Sequence, residues 1–305
     1  MRKIFFGVLF VVAFQFVAAQ VADVVSIRQL SANLGNVYFP TVSPSGDYVL
    51  VSGAGYNGLV KIDLETNKKT VLSTAPFAGY YPSISADGKK IAYREDSYQD
   101  NRRYVSLKTI DLSSSNTKPV EVMSPSRDYS GMRISKETLK IAKEKKEIRK
   151  SVESTAQGSD SPLLTIEDGL MTLYTNGIRT VLAPNGKDKS YIWASISPDG
   201  KKIVYTTPPH KTWICDIDGQ NPVALGHVGA PQWLGNNHII GMTDEDDGNS
   251  ITSSSIITVS VDGKTRQTLT SSSMIALFPT VSADGRIVAF HTPEGKIYIM
   301  NIHLK

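Results

Sequence analysis

Cysteine is almost absent: Cys215 stands alone among 305 residues, which excludes an intrachain disulfide. It falls in the apolar run Trp213-Ile-Cys-Asp-Ile217. A nucleophilic thiol needs an accessible, electropositive setting, so this one reads as a small buried hydrophobe. Charge of one sign is scarce too. The formal net charge of +4 is too small to argue for nucleic acid or a strongly acidic partner. The five histidines, His210, His227, His238, His291 and His303, show no metal-ligand spacing, and there is no Gly-x-Ser-x-Gly nucleophile elbow. No catalytic residue, cofactor site or metal site is therefore assigned. Apolar runs of spanning length are also missing. The longest, from Ile4 to Ala19, contains Gln15 and is shorter than the ~20 residues a transmembrane helix needs.

What is present is repetition. Phe39-Pro-Thr-Val-Ser-Pro-Ser-Gly46, Tyr81-Pro-Ser-Ile-Ser-Ala-Asp-Gly88, Trp193-Ala-Ser-Ile-Ser-Pro-Asp-Gly200 and Phe278-Pro-Thr-Val-Ser-Ala-Asp-Gly285 share one register, and each precedes a second apolar run such as Lys202-Ile-Val-Tyr205. The Asp-Gly turn joins the two strands, because Gly tolerates positive φ and Asp bonds its own backbone nearby. Weaker copies begin at Gly131 and Ala230. Anchors at positions 40, 82, 132, 194, 231 and 279 are separated by 42, 50, 62, 37 and 48 residues, which suits roughly 40 to 50 residues per four-stranded propeller blade. The expectation is an all-β, six-bladed β-propeller of four-stranded blades, with an insertion in the third blade at about residues 136–162. The segment Val24-Val-Ser-Ile-Arg-Gln-Leu-Ser31 occupies the place of an outer strand and is expected to complete the last blade, closing the ring.

Residues 1–19 read separately. Met1-Arg-Lys3 is a positive n-region, Ile4 to Phe14 an apolar h-region, and Val17-Ala-Ala19 a small-residue cleavage site, the pattern of a secretory signal peptide. No cysteine lies near that site for a lipid anchor. Loss of Arg2 and Lys3 lowers the formal charge from +4 to +2. The expected location is outside the cytoplasm, the periplasm first and the extracellular space second.

With its x-Pro-x-x-Ser-x-Asp-Gly units and export signal, the chain resembles the TolB-like family of WD40-like (PD40) propellers over about residues 24–305. The resemblance implies an exported binding protein of the cell envelope. The family's namesake carries an α/β domain ahead of its propeller; only Gln20 to Val37 precedes the first repeat here, too little for that domain. The function expected is a non-catalytic module, monomeric and at most peripheral to the membrane, that docks a cell-envelope protein or other envelope component on one face. The alternative is a carbohydrate-active lyase or hydrolase using channel-lining His and acidic residues.

If the strands of each blade run outward in order, the Asp-Gly turns share one face while the second-to-third-strand loops and the blade crossings share the other. The unusual segments collect on that second face, and long loops on a rigid scaffold tend to carry function. They supply the candidate partner-binding residues Tyr98, Arg102, Arg103, His210, Asp244, Asp246, Asp247 and His291. Tyr98, Arg102 and Arg103 are the first choice of anchor, since Tyr and Arg dominate binding hot spots. The Asp244-Glu-Asp-Asp247 run invites a calcium reading, but its spacing is not an EF-hand, so a solvated or partner-facing loop is the stronger reading. From Lys136 to Lys150 seven basic residues face three acidic ones, read as a solvated hairpin or short helix. Tyr80, Tyr81, Trp193, Trp233 and Phe278 sit at strand starts, with blade packing the first reading and ligand stacking the second.

Overall fold

The structure is a computed structural model and describes residues 20–30, 35–114, 118–135, 138–152 and 161–305. The signal-peptide reading of residues 1–19 lies outside the described residues. So do residues 136–137 and 153–160 of the expected insertion.

The described residues are all-β apart from one 3-10 turn at Ala54–Tyr56, and their strands form seven separate antiparallel sheets. After β1 (Ala22–Gln29), blade 1 contains β2 (Tyr38–Val42), β3 (Tyr48–Ser52), β4 (Leu59–Asp63) and β5 (Lys69–Ser73). Blade 2 contains β6 (Ser83–Ile84), β7 (Lys90–Gln99), β8 (Arg102–Asp111) and β9 (Val120–Ser126). Blade 3 has three strands, β10 (Tyr129–Ile134), β11 (Thr138–Lys143) and β12 (Lys146–Ser151), as does blade 4, with β13 (Leu163–Glu167), β14 (Leu170–Thr175) and β15 (Ile178–Leu182). Blade 5 contains β16 (Ile192–Ile196), β17 (Lys202–Thr207), β18 (Lys211–Asp216) and β19 (Val223–Gly226). Blade 6 contains β20 (Gly229–Leu234), β21 (His238–Asp246), β22 (Ile251–Ser260) and β23 (Arg266–Thr268). Blade 7 contains β24 (Leu277–Val281), β25 (Ile287–His291) and β26 (Ile297–Leu304), with β1 as its outermost strand, Ala22 facing Leu304.

The expectation of six four-stranded blades is corrected: among the described residues there are seven blades, two of them with three strands. The stretch read as an insertion into one blade spans a blade boundary, with β11 and β12 ending blade 3 and β13 opening blade 4. Strand direction explains the miss. In the repeated units the first strand runs down to the Ser-x-Asp-Gly turn, which defines the lower face, and the next turn lies on the upper face. β13 runs the other way. Asp168, the residue after its end, pairs with Lys145 of the upper-face β11–β12 turn at 3.1 Å, and Gly169 O accepts a hydrogen bond from Tyr191 N–H at the upper start of β16. At its lower end, Pro162 O accepts from Arg133.

The motif works through its serine. Ser85, Ser197 and Ser282 each donate to the aspartate two residues on, at 2.6–2.7 Å, and accept from the first N–H region of the returning strand, as in Lys90 N–H to Ser85 Oγ at 2.9 Å. Hydrogen bonds from the Ser197 hydroxyl and then the Lys201 amide hold the Asp199 carboxyl below its usual range. These aspartates shape turns.

Between blades the described residues form seven apolar clusters. Tyr48, Leu50, Leu59, Ile62, Ile91, Tyr93, Leu107, Leu139, Tyr174, Ile203, Tyr205 and Phe290 are each at most a few per cent exposed, and burial of each such side chain contributes about 1.5–3 kcal/mol. Cys215 is buried, and burial pushes its thiol up to about 12.

Candidate upper-face binding site

The first residue of five of the six motif copies adopts an unusual backbone. Phe39, Tyr81, Trp193, Ala230 and Phe278 have φ of +45° to +52°, a region that bulky L-residues avoid at a cost of order 1–3 kcal/mol each. In four of the blades a register shift accompanies it, as between Tyr38 and Thr41. Such bulges re-aim side chains. Here three of them carry the rings of Phe39, Trp193 and Phe278 into the upper mouth of the channel, and Tyr81 joins these at the same positive φ without a register shift.

The rings meet one another. Trp193 is 6.4 Å from Phe278, Phe278 5.3 Å from Phe39, Phe39 stacks on Tyr56 at 3.8 Å, Tyr56 meets Tyr80 at 4.9 Å, and Tyr80 meets Tyr81 at 4.7 Å. Trp193 and Tyr81, the two ends of this series, both line one cavity. Edge-to-face and offset pairs of this kind are each worth about 0.5–1.5 kcal/mol beyond area burial. The circuit joins blades 7, 1, 2 and 5 across the channel, yet leaves Tyr81 54% exposed.

Blades 3 and 4 contribute no such ring. The register position of Phe39 is taken in blade 3 by Gly131, and β13 is reversed. An added Cβ at Gly131 would lie 2.6 Å from Thr165 Cγ2, so glycine lets β13 approach β10. Beside blades 3 and 4 opens a cavity of about 1240 Å³. Phe77, Tyr80, Tyr81, Tyr129 and Trp193 form one wall, Ser130, Gly131, Leu164, Thr165 and Ile166 another, and Arg94, Arg103, Arg127, Glu144, Lys145 and Asp168 line the rest with Glu167 and Asp128.

Arg94 is the most constrained charge. It is buried, forms a forked pair with buried Asp96 at 2.6–2.9 Å, and lies 4.9 Å from the Tyr80 ring centroid and 5.4 Å from that of Phe77. Asp96 N–H is itself fixed to Pro76 O. Both charges are thus compensated, as burial requires. Burial raises the Tyr129 phenol, which borders Arg94. Two of the cavity carboxylates have partners: Glu167 accepts from Tyr174 and Arg179, and Asp168 pairs with Lys145 at the exposed rim. Among the described residues no three His, Cys, Asp or Glu side chains group as a metal site.

The candidate residues take several places. Tyr98 and Arg103 face each other near the tip of the β7–β8 hairpin, with Arg102 opposite Gln99. Arg103 lines the cavity and lies 3.8 Å from Asp96, whereas Tyr98 and Arg102 are exposed at the tip. His210 and Asp244 converge on His227, the first at 5.5 Å between ring centroids and the second by a 3.1 Å hydrogen bond. Asp246 and Asp247 accept from the backbone amides of Gly248, Asn249 and Ser250 in the β21–β22 tip. His291 is 3% exposed, stacks on Phe278 and abuts Phe39 and Tyr38. Burial lowers its pKa. Sequence reasoning did not single out Phe77, Arg94, Arg127, Tyr129, Gly131 or Thr165 for the site. The legible signal was the register position ahead of the motif, aromatic in four copies and Gly in one.

No family model matches the sequence, and no curated protein sequence matches it. Solved structures do. The WD40 repeats of RRP9 are 12% identical with a TM-score of 0.64, covering 93% of this chain and 99% of that one. TolB from Acinetobacter baumannii is 18% identical with a TM-score of 0.51, covering 78% of this chain and 55% of that one. An oligogalacturonate lyase in complex with manganese is 14% identical with a TM-score of 0.50, covering 90% and 79%. At these identities the likeness establishes the fold, a propeller of TolB-like and WD40-like kind, and leaves function to the site.

Proposed function

We propose that the protein is an exported, non-catalytic binding module that docks a cell-envelope protein or other envelope component on the upper face, over the channel mouth. The observation that carries this reading is the strained aromatic circuit beside an open cavity. Four bulky residues are held at positive φ where they line one mouth of one channel, and strain of that kind collects at ligand-binding positions. Exposed Tyr81 and Arg103 supply hot-spot side chains at its rim. The two long hairpins, β7–β8 and β21–β22, stand on the same face and frame the approach. Each cavity carboxylate that is deeply placed is engaged in holding the walls, which suits recognition better than proton transfer.

The test is comparative capture from an envelope extract of the source organism. The chain, a Tyr81→Ala/Arg103→Ala variant and a lower-face Lys201→Ala variant are immobilised in parallel and bound proteins are quantified by mass spectrometry. The expected result is an envelope component retained by the chain and by the lower-face variant and reduced at least tenfold by the upper-face variant. A component retained equally by all three, or lost only with Lys201→Ala, would place docking elsewhere.

A further inference from the structure

We propose that the channel-side edge of β13 is a strand-acceptor site, which takes an extended peptide segment carrying a carboxylate where it crosses the upper rim. The inference deepens the docking reading and rests on it, since the segment would belong to the docked protein.

The ladder geometry defines the edge. Asp168 and Gly169 have φ of +52° and +78°, a two-residue turn of the type that closes on a hydrogen-bonded pair, here Glu167 with Leu170. Pairs alternate along an antiparallel ladder, so Thr165–Thr172 and Leu163–Tyr174 are the other bonded pairs. The next hairpin agrees: Asn176 and Gly177 also have positive φ and close Thr175 on Ile178, which assigns Met171 and Leu173 to β15. The N–H and C=O groups of Leu164 and Ile166 therefore point away from β14, into the channel.

Elsewhere in the ring an inner-strand amide finds a hydroxyl on the preceding blade. Val42 N–H donates to Thr280 Oγ1 at 3.2 Å, and Ile134 N–H to Ser83 Oγ at 3.0 Å. Both hydroxyls come from the position after the motif proline. Blade 3 has Arg133 there, which reaches down to Pro162 O instead. Among the described residues no hydrogen bond reaches the backbone of Leu164 or Ile166 from the channel side, and the buried Thr165 Oγ1 has no partner either.

The unsatisfied groups specify their occupant. Alternating amide and carbonyl groups at strand spacing match another extended backbone, the basis of strand addition. The cavity follows β13 from Leu164 to Asp168, roughly 13 Å at ~3.3 Å per residue, which accommodates about four or five residues. An antiparallel addition runs downward, in the direction of the other inner strands. At the rim, Arg127 is exposed and makes no ion pair among the described residues, and Arg103 shares Asp96 with Arg94. These guanidinium groups favour a carboxylate at the point of entry.

A phage-displayed random heptapeptide library panned against the full chain supplies the probe, and the recovered peptide is synthesised for titration. Ile166→Pro removes a channel-edge N–H without touching the Thr165 or Glu167 ladder bonds. It is expected to weaken the peptide at least tenfold with the melting temperature held within a few degrees, while Ile166→Val changes affinity less than about twofold. N-methylation of successive peptide amides is expected to abolish binding at every second residue only. Arg127→Ala is expected to weaken a carboxylate-bearing peptide and leave its amide analogue unchanged. No recovered peptide, indifference to Ile166→Pro, or N-methyl sensitivity without alternation would each overturn the proposal. If Ile166→Pro unfolds the chain, the alternation alone decides. An envelope component captured through Tyr81 and Arg103 but indifferent to Ile166→Pro would sink the strand site and keep the docking reading. Alternating peptide binding without any captured component would do the reverse.

Discussion

Blades 1, 2, 5 and 7 and blades 3 and 4 solve the same packing problem in opposite ways. The first group accepts a strained backbone at Phe39, Tyr81, Trp193 and Phe278 and uses the rings to fill the channel mouth. The second group has no ring there, carries glycine at the matching position, reverses one inner strand and leaves a cavity. The difference teaches that the regular repeat builds a closed plug. The cavity opens where the repeat is broken.

The largest expected effect lies on the border between the two regions. Asp96→Asn leaves Arg94 buried without its counter-charge and is expected to cost about 3–5 kcal/mol, read as a shift in denaturant midpoint. If it costs no more than a surface substitution, the fixed wall of the cavity is not electrostatic. Next, Gly131→Val should destabilise by about 1–3 kcal/mol through overpacking against Thr165, and Thr165→Ala in the same chain should recover part of that loss. Absence of coupling in the double-mutant cycle would mean that close β10–β13 approach does not set the cavity wall. Ala230→Gly goes the other way. Blade 6 has the strained φ of +45° without a ring, so glycine should stabilise by up to about 1 kcal/mol, whereas the same change at Phe278 should destabilise because packing is lost.

A pH dependence separates the plug from the cavity side. Burial depresses the pKa of His291, so the folded state keeps it neutral while the unfolded chain takes up a proton near the ordinary value of about 6.5. Stability is therefore complete above that value and falls as pH drops through it towards the folded pKa. His291→Phe should flatten that portion of a melting-temperature profile, and an unchanged profile would remove His291 as its source. The smallest effect belongs to Lys145 and Asp168, both largely exposed. Asp168→Asn should alter stability by less than about 0.5 kcal/mol, although it borders the cavity.

Much of the ring was legible because its anchors are turn chemistry. Positions 40, 132, 194, 231 and 279 fall within β2, β10, β16, β20 and β24, and Pro82 directly precedes β6. Blade 4 was hidden because its first strand runs upward, so Asp168-Gly169 turns on the opposite face and lacks the serine two residues before the aspartate that marks Ser85 or Ser197. The 62-residue gap was the trace it left. At the site, Arg103 was legible as a hairpin-tip residue. The role of Trp193 and Phe278 was not, because positive φ at a residue beside proline or alanine has no sequence signature, and rings from blades 5 and 7 meet only once the channel is closed.

The β1–β26 pairing has a temporal meaning. Ala22 finds Leu304, so the first strand described cannot be paired until nearly the whole chain is available. Loop closure over that span grows only slowly in entropy, but long-range pairing of this kind is slow to find. Until then β1 is an orphan, with Val24, Val25 and Ile27 among the most exposed apolar residues even in the finished ring. A newly made chain thus spends its assembly as an open arc with two adhesive ends, and the moment those ends meet is the moment it stops being a partner for its neighbours.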